Sequence, residues 1–155
     1  MLIHENLPAE FYERILKSSS TTSRVLLIVS LDIDALCACR ILTTLFTCDN
    51  IQSTIIPVSK NDDLYQAYHN HREEHQHVIF FNCGGDIELQ SFLLEDDDDD
   101  LESHETEIFV LDSQRPIELL NIYTEKPVHV ILKQEDDVSL DLEFMTELTL
   151  LGEFF

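Results

Sequence analysis

The stretch that most constrains the fold is Arg24-Val25-Leu26-Leu27-Ile28-Val29-Ser30-Leu31-Asp32-Ile33-Asp34-Ala35-Leu36-Cys37-Ala38. Val25 to Val29 is an unbroken apolar run, the pattern of a strand buried on both faces of a parallel sheet, and it switches abruptly to two carboxylates and helical spacing. A strand feeding a helix is the unit of an α/β fold. In open sheets of that kind ligands bind just beyond the carboxyl ends of the strands, which puts Asp32 and Asp34 where such a fold places its chemistry. In extended chain the two side chains leave on the same side, about 6–7 Å apart along the backbone, a spacing that a divalent cation can bridge. The same residues also suit a purely structural duty: Asp34 is a good N-cap for a helix over Ala35 to Phe46, and Asp32 then reads as an ordinary loop acid.

The rest of the chain repeats the unit. A short helix over Leu7 to Lys17, with Pro8 in its first turn, leads through a linker at Ser18 to Ser23 into the first strand. Ile51 to Val58 is the second strand, with Pro57 near its end, where a lost amide costs least. Strand, helix and strand in that order imply a right-handed crossover and a parallel pair. A polar helix over Asn61 to Glu74 follows, then a strand over His77 to Asn82, a tight turn at Cys83-Gly84-Gly85 and a helix from Asp86 to Leu94. Two of the three glycines in the chain fall in that turn, which points to unusual backbone angles or a close approach there. Glu107 to Asp112 is the fourth strand, Pro116 starts a short helix, and Pro127 to Leu132 is the fifth strand. The expectation is one α/β domain over residues 1–137, with a mainly parallel sheet of about five strands and helices on both faces. Residues 138–155 form an acidic tail, either a short helix over Leu140 to Leu151 or the start of a further region. Its final Phe154-Phe155 suits a solvated end poorly and reads as docked on a partner or cut from a longer chain.

Charge limits the function. With 31 acids against 9 bases the formal charge is −22. Nucleic-acid binding rests on Lys and Arg neutralising phosphates, so this domain is expected to bind nucleic acid poorly. Nine acids fall within residues 95–107. That segment reads as a solvated loop, because it lacks the spaced ligands and central glycine of a calcium loop. The four cysteines, Cys37, Cys39, Cys48 and Cys83, show no CxxC pairing and read as buried free thiols of a reducing compartment. Met1 to Pro8 lacks a charged start followed by an apolar core, and no apolar run approaches the length of a membrane span, so an intracellular protein is expected. His69, His71, His75 and His77 invite a zinc reading, since His71 and His75 would share a helix face, but a solvated polar helix accounts for them more simply. A receiver-type signalling domain also has strand-end acids and a Lys after its last strand, as at Lys133. Asn82, however, stands where its phosphorylated Asp would be.

Three strand ends therefore carry polar residues: Asp32 and Asp34, then Asn82, then Asp112. Converging hard oxygen ligands are what a metal-dependent phosphoesterase needs. At this point the residues carry a resemblance. Ser30 to Leu42, Ile56-Pro57-Val58-Ser59, Phe81-Asn82-Cys83-Gly84, Asp112-Ser113-Gln114-Arg115-Pro116 and Leu132 to Asp137 resemble, in order and spacing, the amino-terminal domain of the eukaryotic cell division control protein forty-five family. That family is related to the RecJ-type DHH phosphoesterases. Against the DHH pattern, Asp32 and Asp34 fit the first motif's acids, while Ala35 stands where the enzymes usually have Gly. Asn82 replaces a metal-binding Asp. Asp112 fits the Asp of the DHH signature, but Ser113 and Gln114 replace both histidines. The resemblance implies a non-catalytic scaffold, with Asp32, Asp34, Asn82, Asp112, Ser113 and Gln114 as a degenerate site, no cofactor, and no metal unless Asp32, Asp34 and Asp112 hold one. It further implies a nuclear replication-initiation factor that joins the MCM ring and GINS in the CMG helicase, with no membrane role and only weak contact of this domain with single-stranded DNA. The alternative is an active manganese- or magnesium-dependent phosphoesterase or nuclease.

Overall fold

A computed structural model describes residues 2–3, 6–18, 24–94, 106–123 and 128–131. The elements are β1 (Leu2–Ile3), a π-helical turn (Pro8–Tyr12) running into α1 (Glu13–Ser18), β2 (Arg24–Ser30), α2 (Ile33–Cys48), β3 (Ser53–Val58) and α3 (Asn61–His71), which ends in a 3-10 turn (Arg72–Glu74). There follow β4 (His75–Phe81), α4 (Leu89–Leu94), β5 (Glu107–Leu111), α5 (Leu119–Tyr123) and β6 (Val128–Ile131). Of the expected linker 18–23 and acidic loop 95–107, Ser18 instead closes α1 and Glu107 opens β5; residues 19–23 and 95–105, Lys133 and the tail with its helix over 140–151 lie outside the described residues.

The fold class is as the sequence indicates: an all-parallel sheet in the order β1-β6-β5-β4-β2-β3, sheathed by helices on both faces. Among the described residues it has six strands rather than about five. The additional one, β1, is two residues long and pairs Leu2 with Val130 and Ile3 with Ile131. The apolar run Val25 to Val29 is buried throughout because β2 lies between β3 and β4. Alternate residues serve two cores. Leu26, Ile28, Val78, Phe80 and Val110 pack under α3, α4 and α5, whereas Val25, Leu27, Val29, Phe81 and Phe109 pack under α1 and α2. Each such side chain removed from water stabilises the fold by about 1.5–3 kcal/mol.

α2 begins at Ile33, two residues before the expected Ala35, and ends on a motif written in the sequence. Asn50 takes a left-handed φ of 58°; Ile51 N–H then bonds Phe46 O at 2.8 Å and Asn50 N–H bonds Thr47 O at 3.4 Å. This is a Schellman closure with Asn in the position usually taken by Gly. β2 sends α2 to one face of the sheet and β3 sends α3 to the other, so the order in which strands are added reverses between β2 and β4. Such switch points leave a crevice at the carboxyl ends of the strands. Asp32 and Asn82 sit at its two lips.

Candidate functional site

The site is built from the bends that follow β2, β4 and β5. Beyond Ser30, Asp32 adopts extended angles and caps α2: its Oδ1 accepts the Ala35 N–H at 2.8 Å. The cap is therefore Asp32 and not Asp34, which lies in the first helical turn. This corrects the expectation of two carboxylates side by side in extended chain. A helix can start at Ile33 because Asp32 already satisfies one of its free amides.

Asn82 follows β4 with a φ of 48°, a left-handed conformation that Asn tolerates. Its Oδ1 accepts from Ser113 N at 3.0 Å and Ser113 Oγ at 3.1 Å. A main-chain N–H can only donate, so the Asn82 amide is oriented by Ser113, and its Nδ2 must face Asp32, where it donates to Oδ1 at 3.1 Å. Asp112, past the end of β5, is buried. Its Oδ1 accepts from Gln114 N at 2.8 Å and its Oδ2 from Gly85 N at 3.2 Å. Gly85 is required here, since a Cβ on it would stand 2.6 Å from Asp112 Oδ2. Asp32, Asn82, Ser113 and Asp112 with Gln114 thus come together around the crevice. Asp34, in the first turn of α2, lines with Asn82, Asp112, Ser113 and Arg115 a cleft of about 430 Å³. A second cleft of about 250 Å³ opens between Lys60, Asn82, Cys83, Asp86 and Arg115.

The electrostatics differ among these groups. The Ala35 amide foremost, then the Asn82 amide, hold the Asp32 carboxyl below its usual range against the opposing effect of burial. Burial pushes the Asp112 carboxyl up, and the Gln114 and Gly85 amides only partly offset it. Burial, with Asp112 nearby, pushes the Cys83 thiol up to about 12. Cys83 is therefore a poor nucleophile at neutral pH.

A divalent cation, which the DHH pattern implies, does not fit this donor set. Asp32 Oδ1 already takes two N–H donors and both Asp112 oxygens face main-chain amides. The Asn82 amide directs hydrogens to the place where a metal would be held. Asp32 Oδ2 is buried and without a hydrogen-bond partner, which gives it the character of a vacant ligand. Among the described residues no three His, Cys, Asp or Glu side chains gather as metal ligands.

Several expectations need correction. His71 and His75 do not share a helix face: His71 ends α3 and His75 begins β4. Both His75 nitrogens are engaged, Nδ1 with His71 O at 2.7 Å and Nε2 with Thr54 Oγ1 at 3.1 Å. His77 is buried beside Glu107, and its ring meets the Ser18 hydroxyl. The cysteines are free but not uniformly buried, because Cys37 and Cys48 are exposed on α2 while Cys39 points into the core. Sequence reasoning also missed Asn121, which is 1% exposed. Its Nδ2 donates to Ile87 O at 2.7 Å and Gly84 O at 3.4 Å, and its Oδ1 accepts from Leu89 N at 3.0 Å. Asn121 thereby pins the turn that presents Gly85 to Asp112. The only available signal was a polar residue within the apolar run Leu119 to Ile122.

Comparison with known proteins supplies a family. A family model described as CDC45 matches residues 25–149. The cell division control protein 45 homolog of Mus musculus is 40% identical over 131 residues, covering 84% of this chain and 21% of its own. That of Schizosaccharomyces pombe is 36% identical over 146 residues, covering 92% and 22%. The chain thus spans about a fifth of the length of these relatives. Among solved structures, CDC45 from Entamoeba histolytica superposes with a TM-score of 0.76 at 22% identity, over 87% of this chain and 26% of that one. RecJ from Thermus thermophilus, solved in complex with Mn²⁺, gives 0.56 at 15% identity over 86% and 18%. The two structures share the fold described above.

Proposed function

Because this chain belongs to the CDC45 family, we propose that it is a non-catalytic scaffold domain of a nuclear DNA replication initiation factor, one that assembles with the MCM ring and GINS into the CMG helicase. The observation that carries the reading is the Asn82 to Asp32 hydrogen bond. An amide occupies the place of a metal-binding carboxylate and turns its hydrogens toward Asp32, so the crevice holds itself together without a cation. Ser113 completes that internal bonding where a DHH enzyme has an imidazole. Water activation for phosphodiester hydrolysis needs positioned metal ligands or a general base, and the replacements at Asn82, Ser113 and Gln114 support a site that has lost metal ligands. A formal charge of −22 suits docking on basic protein surfaces, where complementary charge directs association. It disfavours nucleic-acid phosphates. Among the described residues no helix is long and apolar enough to cross a membrane.

The unpartnered Asp32 Oδ2 favours a second reading, a manganese- or magnesium-dependent phosphoesterase using Asp32, Asp34 and Asp112. One experiment separates the two. Purified chain is titrated at physiological salt with MCM ring and GINS, with single-stranded DNA, and with Mn²⁺ under assay for phosphodiester cleavage. The scaffold reading expects saturable binding to the protein partners and neither cleavage nor saturable DNA binding. Cleavage that disappears in both Asp32→Ala and Asp112→Ala would establish the enzyme instead.

A further inference from the structure

α2 carries large apolar side chains on its exposed side, between Asp34, Arg40, Thr44 and Thr47, as well as on its buried side. At about 100° per residue, Ala35, Cys39, Leu42 and Phe46 face the sheet and are buried. Ile33, Leu36, Cys37, Ile41, Leu45 and Cys48 spread over the opposite half. Ile33 is 79% exposed, Ile41 66%, Leu36 52% and Leu45 47%. In a chain with 31 acids, the sixteen residues of α2 hold one, Asp34, and one base, Arg40. Large apolar side chains clustered on an exposed face mark an interaction site. The apolar surface also continues off the helix. On its carboxyl-end side, Ala38 borders the 430 Å³ cleft whose floor includes Phe81, Leu111 and Ile131. On the other side, Ile55 pairs with Leu27 and so shares its face of the sheet, and it is 52% exposed on the edge strand β3. Among the described residues, α1 with its leading turn and α2 cover this face, and α3, α4 and α5 cover the other.

Surfaces this depleted in charge resemble permanent interfaces, which look like a domain core cut in half, more than they resemble transient ones. The extent of the family offers an occupant, since about four fifths of each curated relative lies outside its match to this chain. From the exposed Ile33, Leu36, Ile41 and Leu45, the absence of net charge among them and that extra chain, we infer that the outer face of α2 is an intramolecular interface. In a full-length CDC45 family protein the chain beyond the matched fifth packs on it through an apolar helical face. This inference rests on family membership and is independent of whether the crevice is catalytic.

Cys37 and Cys48 lie on that face and are exposed, so they report its coverage. The 155-residue chain, and the full-length mouse relative with this chain in place of its matching fifth, are labelled with maleimide at pH 7 and analysed by mass spectrometry of the α2 peptide. The expected result is rapid labelling of both thiols in the short chain and at least tenfold slower labelling in the full-length protein. Ile41→Asp in the full-length protein should restore rapid labelling, while Leu120→Asp, at an exposed position of α5, should not. Equal labelling rates in the two proteins overturn the inference. So does protection that appears only after MCM ring and GINS are added, which would make the face an intermolecular surface.

Discussion

Replacing Asn82 by Asp restores the carboxylate of the DHH pattern and tests whether the crevice depends on an amide. The backbone should accept the change, since Asp tolerates a φ near 48° much as Asn does. Ser113 can still donate to one new oxygen. The other faces Asp32 Oδ1 at the 3.1 Å now spanned by a hydrogen bond. Loss of a hydrogen bond to a charged acceptor costs about 1.5–3 kcal/mol. Two carboxylates near 4 Å repel by about 4 kcal/mol at an effective dielectric of 20, and by about 1 kcal/mol in water. The crevice lies between those limits, and protonating one carboxyl at pH 7 caps the cost at about 4 kcal/mol. Net destabilisation of about 2–4 kcal/mol follows, read as a lowered urea midpoint at pH 7 in EDTA. The added carboxyl has a raised pKa in the folded state, so folding retains its proton. Lowering the pH toward 4 should therefore narrow the gap to wild type. Mn²⁺ at millimolar concentration should raise the midpoint of N82D more than that of wild type, because binding to the folded state alone stabilises it. A variant within about 0.5 kcal/mol of wild type at pH 7 in EDTA, a threshold at the edge of ordinary surface substitutions, would refute the account of this contact.

Gly85→Ala should lower stability by about 1–3 kcal/mol, since its Cβ would meet Asp112 Oδ2 at 2.6 Å; an unchanged urea midpoint would contradict the packing described. Asn121→Ala leaves the buried Leu89 N–H without its acceptor and should cost about 2–4 kcal/mol, with faster amide exchange concentrated over residues 84–89. Burial lowers the His77 pKa from 6.5, against the opposing pull of Glu107 and with the help of Arg14. The folded state thus holds fewer protons than the unfolded one, so its stability is complete above pH 6.5 and declines as pH falls toward the depressed value. His77→Asn should flatten that decline between pH 7.5 and 5.5, and an unaltered slope would assign it to other groups. Asp112 acts in the opposite sense and at lower pH, because its raised pKa favours the folded state as its carboxyl protonates.

The strands were legible wherever both faces are buried. Val25 to Val29 and Val78 to Phe81 read as continuous apolar runs because the sheet is sheathed on both sides. β1 was not legible, since two residues carry no periodicity and Leu2–Ile3 is a strand only by virtue of β6. The start of α2 was misplaced because Asp32 and Asp34 are equally good caps by residue type; the choice is made by the Asn82 amide, which holds the Asp32 carboxylate from across the crevice. The polar residues at the site were found from strand-end position alone, and the departures at Asn82, Ser113 and Gln114 were evident by resemblance. That these departures bond to one another could not be read from the chain, and neither could the role of Asn121, whose three partners lie more than thirty positions away. Cys37 and Cys48 were misjudged because an apolar helix predicts burial, whereas here only one side of α2 is covered by the described residues.

The strand order has a consequence for how the molecule is made. β2, β3 and β4 are contiguous in sequence and adjacent in the sheet, so the centre can assemble as soon as Phe81 has emerged from the ribosome. β1 emerges first yet has no neighbour until β6 exists, for Leu2 pairs with Val130. The earliest of these six strands to emerge is therefore among the last to be placed. Loop-closure entropy grows only slowly with length, so the delay is one of sequence and timing more than of equilibrium cost. Throughout that interval the outer edge of β5 presents unpaired N–H and C=O groups, a template open to foreign strands. Chaperone protection during synthesis should matter most between completion of β5 and arrival of β6.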